Sequence, residues 1–487
     1  MSPARHLRDD RLRSYRDATD FLESLVRTPP RTQCERERLG LSPVEGLLER
    51  IGNPQRRLPA IHITGSQGKG STALQTEALL TAAGLRVGTF TSPHLELWNE
   101  RIRVEGAPID DAAFVGALER VRPPIAALHH ADADAAPAFF DALVGAAFTV
   151  FDDASVDIAV VEAGIGARLD PTRVCQAVAT CVTGVELEHT DRLGSTIAEI
   201  AREKAAIARP GVPLVAGSVP EAAQEVLERE AARTGAPLLR LGRDFTVRRD
   251  VASPARGTTG NDPCRDGSRG GEGTGRRVVG SGPEGTVEGS LTGTVRAEVT
   301  VAGRTIAFRL RQPGGHMIEN AALALALANE AGALNRLDDS AAGVALQSTV
   351  LPGRVEVLRE RPLVIADGAH TPAAVKALLS VLGAVDRSRL VVVVSATRGK
   401  DVARMLAPLV RRAVTVIATT AEPSRSLSAT QLAGILETID RRASVIDVDP
   451  PAEAIHAALR VAGSEGVVCV TGSMYVAGAA RRMLAGV

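Results

Sequence analysis

The run Ala60-Ile-His-Ile-Thr-Gly-Ser-Gln-Gly-Lys-Gly-Ser-Thr72 constrains this chain more than any other stretch. A short apolar strand runs straight into Gly65, Gly68 and Gly70 around Lys69, and a helical pattern starts at Ser71. Glycines let the backbone come close to a ligand and take positive φ, so several N–H groups can point inward at one anion. The helix N-terminus adds partial positive charge and Lys69 a full one, while the hydroxyl of Ser71 or Thr72 is placed to ligate Mg²⁺. The pattern G-x-x-x-x-G-K-[ST] is not met, because Ile63 stands at its first glycine and Gly70 at its hydroxyl position. The variant G-x-x-G-K-G-S, spelled Gly65 to Ser71, is met in full. A plain turn between strand and helix would need neither the lysine nor the hydroxyl, so the run reads as a polyphosphate cradle.

Composition excludes several other classes. At 487 residues the chain has room for two or three domains and a substantial core. Basic and acidic residues are equal at 57 each, so no global field favours nucleic acid or an anionic membrane. Aromatic residues make up only 2%, too few for a platform that stacks single-stranded nucleic acid. Met1 to Asp20 is charged and has no apolar run, so no secretory signal is expected, and no stretch is long and apolar enough to predict a membrane span. Cysteines 34, 175, 181, 264 and 469 lie far apart without C-x-x-C spacing. They suggest neither a disulfide framework nor a zinc site, and they suit a reducing cytoplasm.

Residues 17–26 and 43–51 read as short amphipathic helices ahead of the phosphate-loop strand. A long mixed segment then leads to Val156-Asp-Ile-Ala-Val-Val-Glu162, whose near-continuous apolar character suits a strand buried on both faces of a parallel sheet. Residues 197–208 read as a helix and 213–216 as a strand. Residues 251–290 hold eleven glycines and no aromatic, too little apolar surface to offset ordering entropy, which predicts a disordered or loosely held insertion. An alternating pattern over 294–310, centred on Ala302-Gly303-Arg304, predicts a hairpin, with a helix from about 318 to 331. After Leu351-Pro-Gly-Arg354 the strand–helix rhythm restarts, with strands at 363–366, 390–394, 414–418, 444–448 and 467–470. The expected fold is therefore α/β, a P-loop ATPase-like parallel-sheet domain followed by a smaller Rossmann-like α/β domain, with chemistry in the cleft between them.

Other residues have local readings. Glu162 ends a buried strand, where ligands of parallel sheets collect, and could ligate Mg²⁺ or simply cap a helix. His189 lies between Glu188 and Asp191, which leaves metal, phosphate and structural roles open. Lys204 on its own reads as an exposed lysine on a solvated helix face. Asp367 and His370 close the first strand of the second domain and form an acid–histidine pair able to bind or relay protons.

Taken in order, these segments resemble the folylpolyglutamate synthase/dihydrofolate synthase family of Mur-type ATP-dependent ligases. The resemblance runs from about Arg16 to the C-terminus, outside the glycine-rich insertion. It rests on Gly65 to Ser71, on Thr91-Ser-Pro-His-Leu95 with Asn99-Glu-Arg-Ile102, on Glu162 to Asp170, and on Glu188 to Gly194 with Arg202-Glu-Lys-Ala205. Gly315-His316 with Asn320, Pro352-Gly-Arg354, Asp367 to His370 and Thr471-Gly-Ser473 complete it. Any one segment is weak, but their order and spacing together are specific.

The resemblance implies an ATP-dependent ligase that adds L-glutamate to a folate-type carboxylate, either dihydropteroate or tetrahydrofolate, through an acyl phosphate. It implies an ATP-binding domain over 1–347 and a ligase domain over 348–487. Gly65, Gln67, Gly68, Lys69, Gly70, Ser71, Thr72, Asn320, Arg354 and Asp367 would then bind the nucleotide. Ser71 and Glu162 would hold one Mg²⁺, and His189 would help to hold a second. Lys204 matches a lysine that is carbamoylated in such ligases; with Lys69, His189, Asp367 and His370 it makes up the implied catalytic set. A monomer is the family expectation. Several positions depart from the family pattern: Ser66 and Gln67 replace threonine and asparagine, Ala167 a glycine, Arg173 an asparagine, Glu188 an aspartate, Met317 a glutamine and Thr371 an asparagine. Two alternatives stand beside this reading: a related amino-acid ligase with a different carboxylate acceptor, and a non-catalytic nucleotide-binding relative.

Overall fold

A computed structural model describes residues 11–27, 31–249 and 294–484. The glycine-rich insertion expected over 251–290 lies outside the described residues. Strands are numbered along the chain: β1 Pro59–Thr64, β2 Val87–Phe90, β3 Ile102–Val104, β4 Ala107–Pro108, β5 Ile158–Glu162, β6 Gln176–Val182, β7 Leu214–Ala216 and β8 Leu238–Arg240. They form one sheet in the order β4-β3-β2-β5-β1-β6-β7-β8. The six strands from β2 to β8 are parallel, and β3 and β4 add an antiparallel edge.

The alternation along β1 divides its side chains between two cores. Ile61 and Ile63 face the helices Lys69–Ala82 and Gly315–Glu330, which also pack on each other. Ala60 faces the opposite layer, built from helices Tyr15–Ser24, Ser42–Arg50, Asp111–Ala131 and Phe139–Asp153. With both faces covered, every residue of β2 and β5 is buried, as a parallel sheet requires.

The next three strands, β9 Thr246–Arg249, β10 Val295–Val301 and β11 Arg304–Leu310, form a small antiparallel sheet. Its hairpin turns through Ala302 and Gly303, both at positive φ, the geometry of a tight hairpin turn. The remaining strands are β12 Glu356–Glu360, β13 Leu363–Ala366, β14 Leu390–Val394, β15 Thr415–Ala418, β16 Ser444–Asp447 and β17 Val467–Thr471. They build a second sheet in the order β12-β13-β17-β14-β15-β16, parallel except at the β12 edge. The expected division at 347/348 runs through the end of helix Asp339–Ser348, ahead of the connection to this sheet.

Candidate active site

Because β1 sits between β5 and β6, the loop that leaves it meets the exits of both neighbours. Ile63 pairs with Glu162 on β5 and Thr64 with Val182 on β6. The loop is stitched to the β6 exit: Ser66 N donates to Gly184 O at 2.9 Å, Glu186 N donates to Ser66 Oγ at 2.9 Å, and Thr183 Oγ1 donates to Gln67 O. A Cβ on Gly65 would overlap the Thr183 hydroxyl. Gly68, at φ 84, caps helix Lys69–Ala82, and a Cβ there would overlap the Asn320 amide. Glycine is thus required twice, for conformation and for space.

Lys69 folds back over this loop, its Nζ donating to Gly65 O at 2.9 Å. Ser71 is buried, with no hydrogen bond from its hydroxyl among the described residues. The Thr72 hydroxyl is buried and has no partner among the described residues. A Cβ on Gly70 would stand 3.3 Å from Glu162 Oε2, so that carboxylate overhangs the first turn of the helix. Ser92 N donates to Glu162 Oε2 at 2.9 Å. Burial pushes the Glu162 carboxyl upward, opposed by Lys69, that backbone N–H, Arg354 and Arg101.

Lys204 corrects its local reading. Its side chain is 1% exposed, and Nζ donates to Glu188 Oε1 at 2.8 Å. Burial pushes the Lys204 ammonium down. Burial also opposes charge on Glu188, yet Lys204 and Lys69 together hold that carboxyl below its ordinary range. His189 next to it is exposed and in the left-handed conformation, φ 45. Among the described residues no three His, Cys, Asp or Glu side chains gather as a ready-made metal cage.

The second sheet supplies the facing wall. Asp367 leaves β13 buried, with both oxygens engaged by backbone: Val355 N donates to Oδ2 and Ala369 N to Oδ1, each at 2.8 Å. These bonds fix the Arg354–Val355 connection. Burial, partly offset by Arg354, raises its carboxyl. His370 Nδ1 lies 2.7 Å from Gly368 O. A carbonyl only accepts, so Nδ1 carries the proton and Nε2 a lone pair. Burial first, then Lys400, pushes this histidine down to about 4. Gln67 Nε2 reaches across from the loop to Thr371 Oγ1 at 3.0 Å.

Sequence reading overlooked Lys400 and Tyr475, and it quoted Arg101 within the 99–102 segment without assigning it a role. Lys400, in the loop after β14, donates to His370 O at 2.8 Å and feels the Glu188 carboxylate. Its signal was a lysine at the carboxyl end of a parallel strand. Arg101 is buried; its Nε donates to His94 Nδ1 at 3.0 Å and its guanidinium lies 5.0 Å from the Trp98 ring centroid. Tyr475 of the second unit stands edge-on to His94, centroids 5.7 Å apart. The 91–102 loop thereby touches both units.

A glycine-rich phosphate loop facing a second α/β sheet is the layout of a Mur-type ligase, and residues 353–474 match the family model described as Mur ligase, glutamate ligase domain. A curated relative in Mycobacterium tuberculosis, dihydrofolate synthase/folylpolyglutamate synthase, is 32% identical over 91% of this chain and 89% of its own length. The chain therefore belongs to the folylpolyglutamate synthase/dihydrofolate synthase family. The crystal structure of Mycobacterium tuberculosis folylpolyglutamate synthase complexed with ADP and AMPPCP superposes with a TM-score of 0.78, covering 91% of this chain and 95% of that one at 32% identity. A Halobacterium salinarum protein, named as a probable bifunctional folylpolyglutamate synthase/dihydropteroate synthase, is 35% identical over 96% of this chain but only 51% of its own length. The chain thus spans about half of that relative.

Proposed function

We propose that the chain is an ATP-dependent ligase that joins L-glutamate to the carboxylate of a folate-type acceptor. The observation that carries this reading is the pairing of a phosphate loop with an acidic, lysine-bearing wall across one cleft, within a chain of this family. The carboxylate oxygen forms a bond to the γ-phosphorus as the β–γ bridge breaks, giving an acyl phosphate and ADP. The glutamate amine then attacks the acyl carbon, phosphate leaves, and the amide remains.

The chain's own groups divide this work. Loop N–H groups and Lys69 hold the phosphates, and their fixed positive charge stabilises the transferring group. Asn320, against Gly68, and Arg354, facing Glu162, border the nucleotide. The neutral His370 has Nε2 available to take the proton that the amine sheds. Asp367 acts by holding the strand exit rather than by touching substrate.

The donor set fits Mg²⁺, a hard cation that binds through one or two protein oxygens, phosphate and water. The unpartnered Ser71 hydroxyl and the Glu162 carboxylate are those oxygens, with His189 beside a second position. The ion would neutralise charge on the phosphoryl oxygens. Lys204, whose neutral amine is favoured by burial, is the residue to carry a carbamate. The cysteines described are free, which agrees with a cytoplasmic setting.

The test is ADP release with Mg²⁺, ATP and L-glutamate, with dihydropteroate and tetrahydrofolate supplied separately and product masses checked for added glutamate. Turnover with either pterin and the matching mass gain supports the reading. Silence with both, from protein that binds ATP, overturns the acceptor assignment.

A further inference from the structure

Away from the cleft lies a second concave site, a pocket of about 570 Å³ walled by Arg168, Arg173, Arg202, Arg229 and Arg233. Five guanidiniums around one cavity are conspicuous in a chain whose basic and acidic residues balance at 57 each. Glu230 is the one carboxylate in the lining, and Arg233 already takes both its oxygens, at 2.8 and 2.6 Å. Arg168 is committed to Glu203 and Glu37. Arg202 and Arg229 are exposed and have no carboxylate partner among the described residues.

Arg173 donates to the neutral carbonyl of Ala206, and Arg209 donates to the carbonyl of Arg173. Burial, with Arg209 adding repulsion, pushes Arg173 down to about 10. Arg202 sits two residues before Lys204 on helix Ile197–Ala205, roughly 200° around its axis, which turns the pocket away from the cleft.

We propose that this pocket binds a small, multiply charged phosphate compound through its phosphate groups. Planar guanidinium forks match phosphate oxygens in pairs, and several around one cavity select for clustered negative charge. The lining contains no aromatic ring on which a nucleobase could stack. The ligand is recognised as an oligophosphate or a phosphorylated metabolite.

Calorimetric titration at constant ionic strength tests this, with inorganic tripolyphosphate and fructose 1,6-bisphosphate as separate probes. The Lys69→Ala protein, whose phosphate loop is disabled, should still bind one probe molecule per chain. Adding Arg202→Gln and Arg229→Gln should weaken binding by more than about tenfold. Both arginines are exposed, and circular dichroism checks the fold. The same comparison in otherwise wild-type protein saturated with ADP serves if Lys69→Ala misfolds. Tripolyphosphate alone identifies an inorganic chain, and the bisphosphate alone identifies a metabolite; either supports the site. Equal affinity with and without the two arginines, loss of all binding in Lys69→Ala, or tighter binding of γ-tetraglutamate than of either phosphate overturns it.

Discussion

Gln67 donates from Nε2 to Thr371 Oγ1 at 3.0 Å, joining positions 304 residues apart. The resemblance noted above would place asparagine at each of these positions. Glutamine is one methylene longer and threonine shorter than asparagine, so the two departures compensate in reach. Thr371 Oγ1 also accepts from Ala374 N at 3.2 Å, which ties the bridge to the start of helix Pro372–Val381. The loop that cradles phosphate is thereby linked to the wall that faces it.

This pair should couple energetically. In a double-mutant cycle, Gln67→Ala and Thr371→Val should interact by about 1 kcal/mol in ATP affinity, the ordinary worth of one hydrogen bond. Isothermal titration of the four proteins reads it. Strictly additive losses would mean that the bridge is incidental.

Lys69→Ala should abolish acceptor-dependent ADP release and leave the far-ultraviolet spectrum unchanged. Among the described residues the lysine's hydrogen bonds go to loop carbonyls, so its loss removes no tie between elements. Substantial turnover by this variant would remove the phosphate-loop assignment.

Lys204→Met should cost about 3 kcal/mol of stability, because it leaves the largely buried Glu188 carboxylate without its cation. Urea denaturation measures that. In ¹³C-labelled bicarbonate, wild-type protein should show a carbamate carbonyl resonance that Lys204→Arg lacks. The resonance persisting in Lys204→Arg would place any carbamate elsewhere.

Acid should weaken the fold through its buried histidines. Burial pushes His62 and His94 down to about 3, with nearby arginines adding to the shift. Above pH 6.5 both are neutral whether folded or unfolded and contribute nothing to the pH dependence. As pH falls below 6.5, the unfolded chain binds protons at His62 and His94 that the native state refuses, and these two groups lower stability by up to about 3 kcal/mol per pH unit until roughly pH 3, with His316 and His370, both pushed down to about 4, acting in the same direction. Denaturation midpoints between pH 7.5 and 5 check this, and the double variant His62→Gln/His94→Gln should flatten the slope.

The phosphate-loop unit, the 302–303 hairpin and five strands of the second sheet were legible because each has strong local grammar: glycine with lysine, period-two alternation, or unbroken Val and Ile runs. Helix Asp111–Ala131 was lost in a mixed segment because Pro123 and Pro124 lie inside it, and its partner Phe139–Asp153 is apolar nearly all round. β12 is a half-exposed edge strand without a buried stripe. Lys204 was misread for a different reason. Nothing within its helix announces that Glu188, 16 residues earlier, folds over it. Asp367 and His370 stood out as an acid–histidine pair, and each also accepts or donates a backbone hydrogen bond that the sequence does not show. Sequence shows which residues share a loop and leaves unsaid which atoms remain free.

Leu95 belongs by chain order to the loop after β2, but it is 5% exposed and packs among Met474, Val364 and Ala366 of the second unit. Gly353 and Gly478 lie so close that a Cβ on either would press on it, and Glu96 next door meets Arg481 at 3.5 Å. One unit thus completes its interior with a side chain borrowed from the other. The second unit cannot keep that interior if the loop that lends Leu95 comes away, so its unfolding should follow the loss of the first.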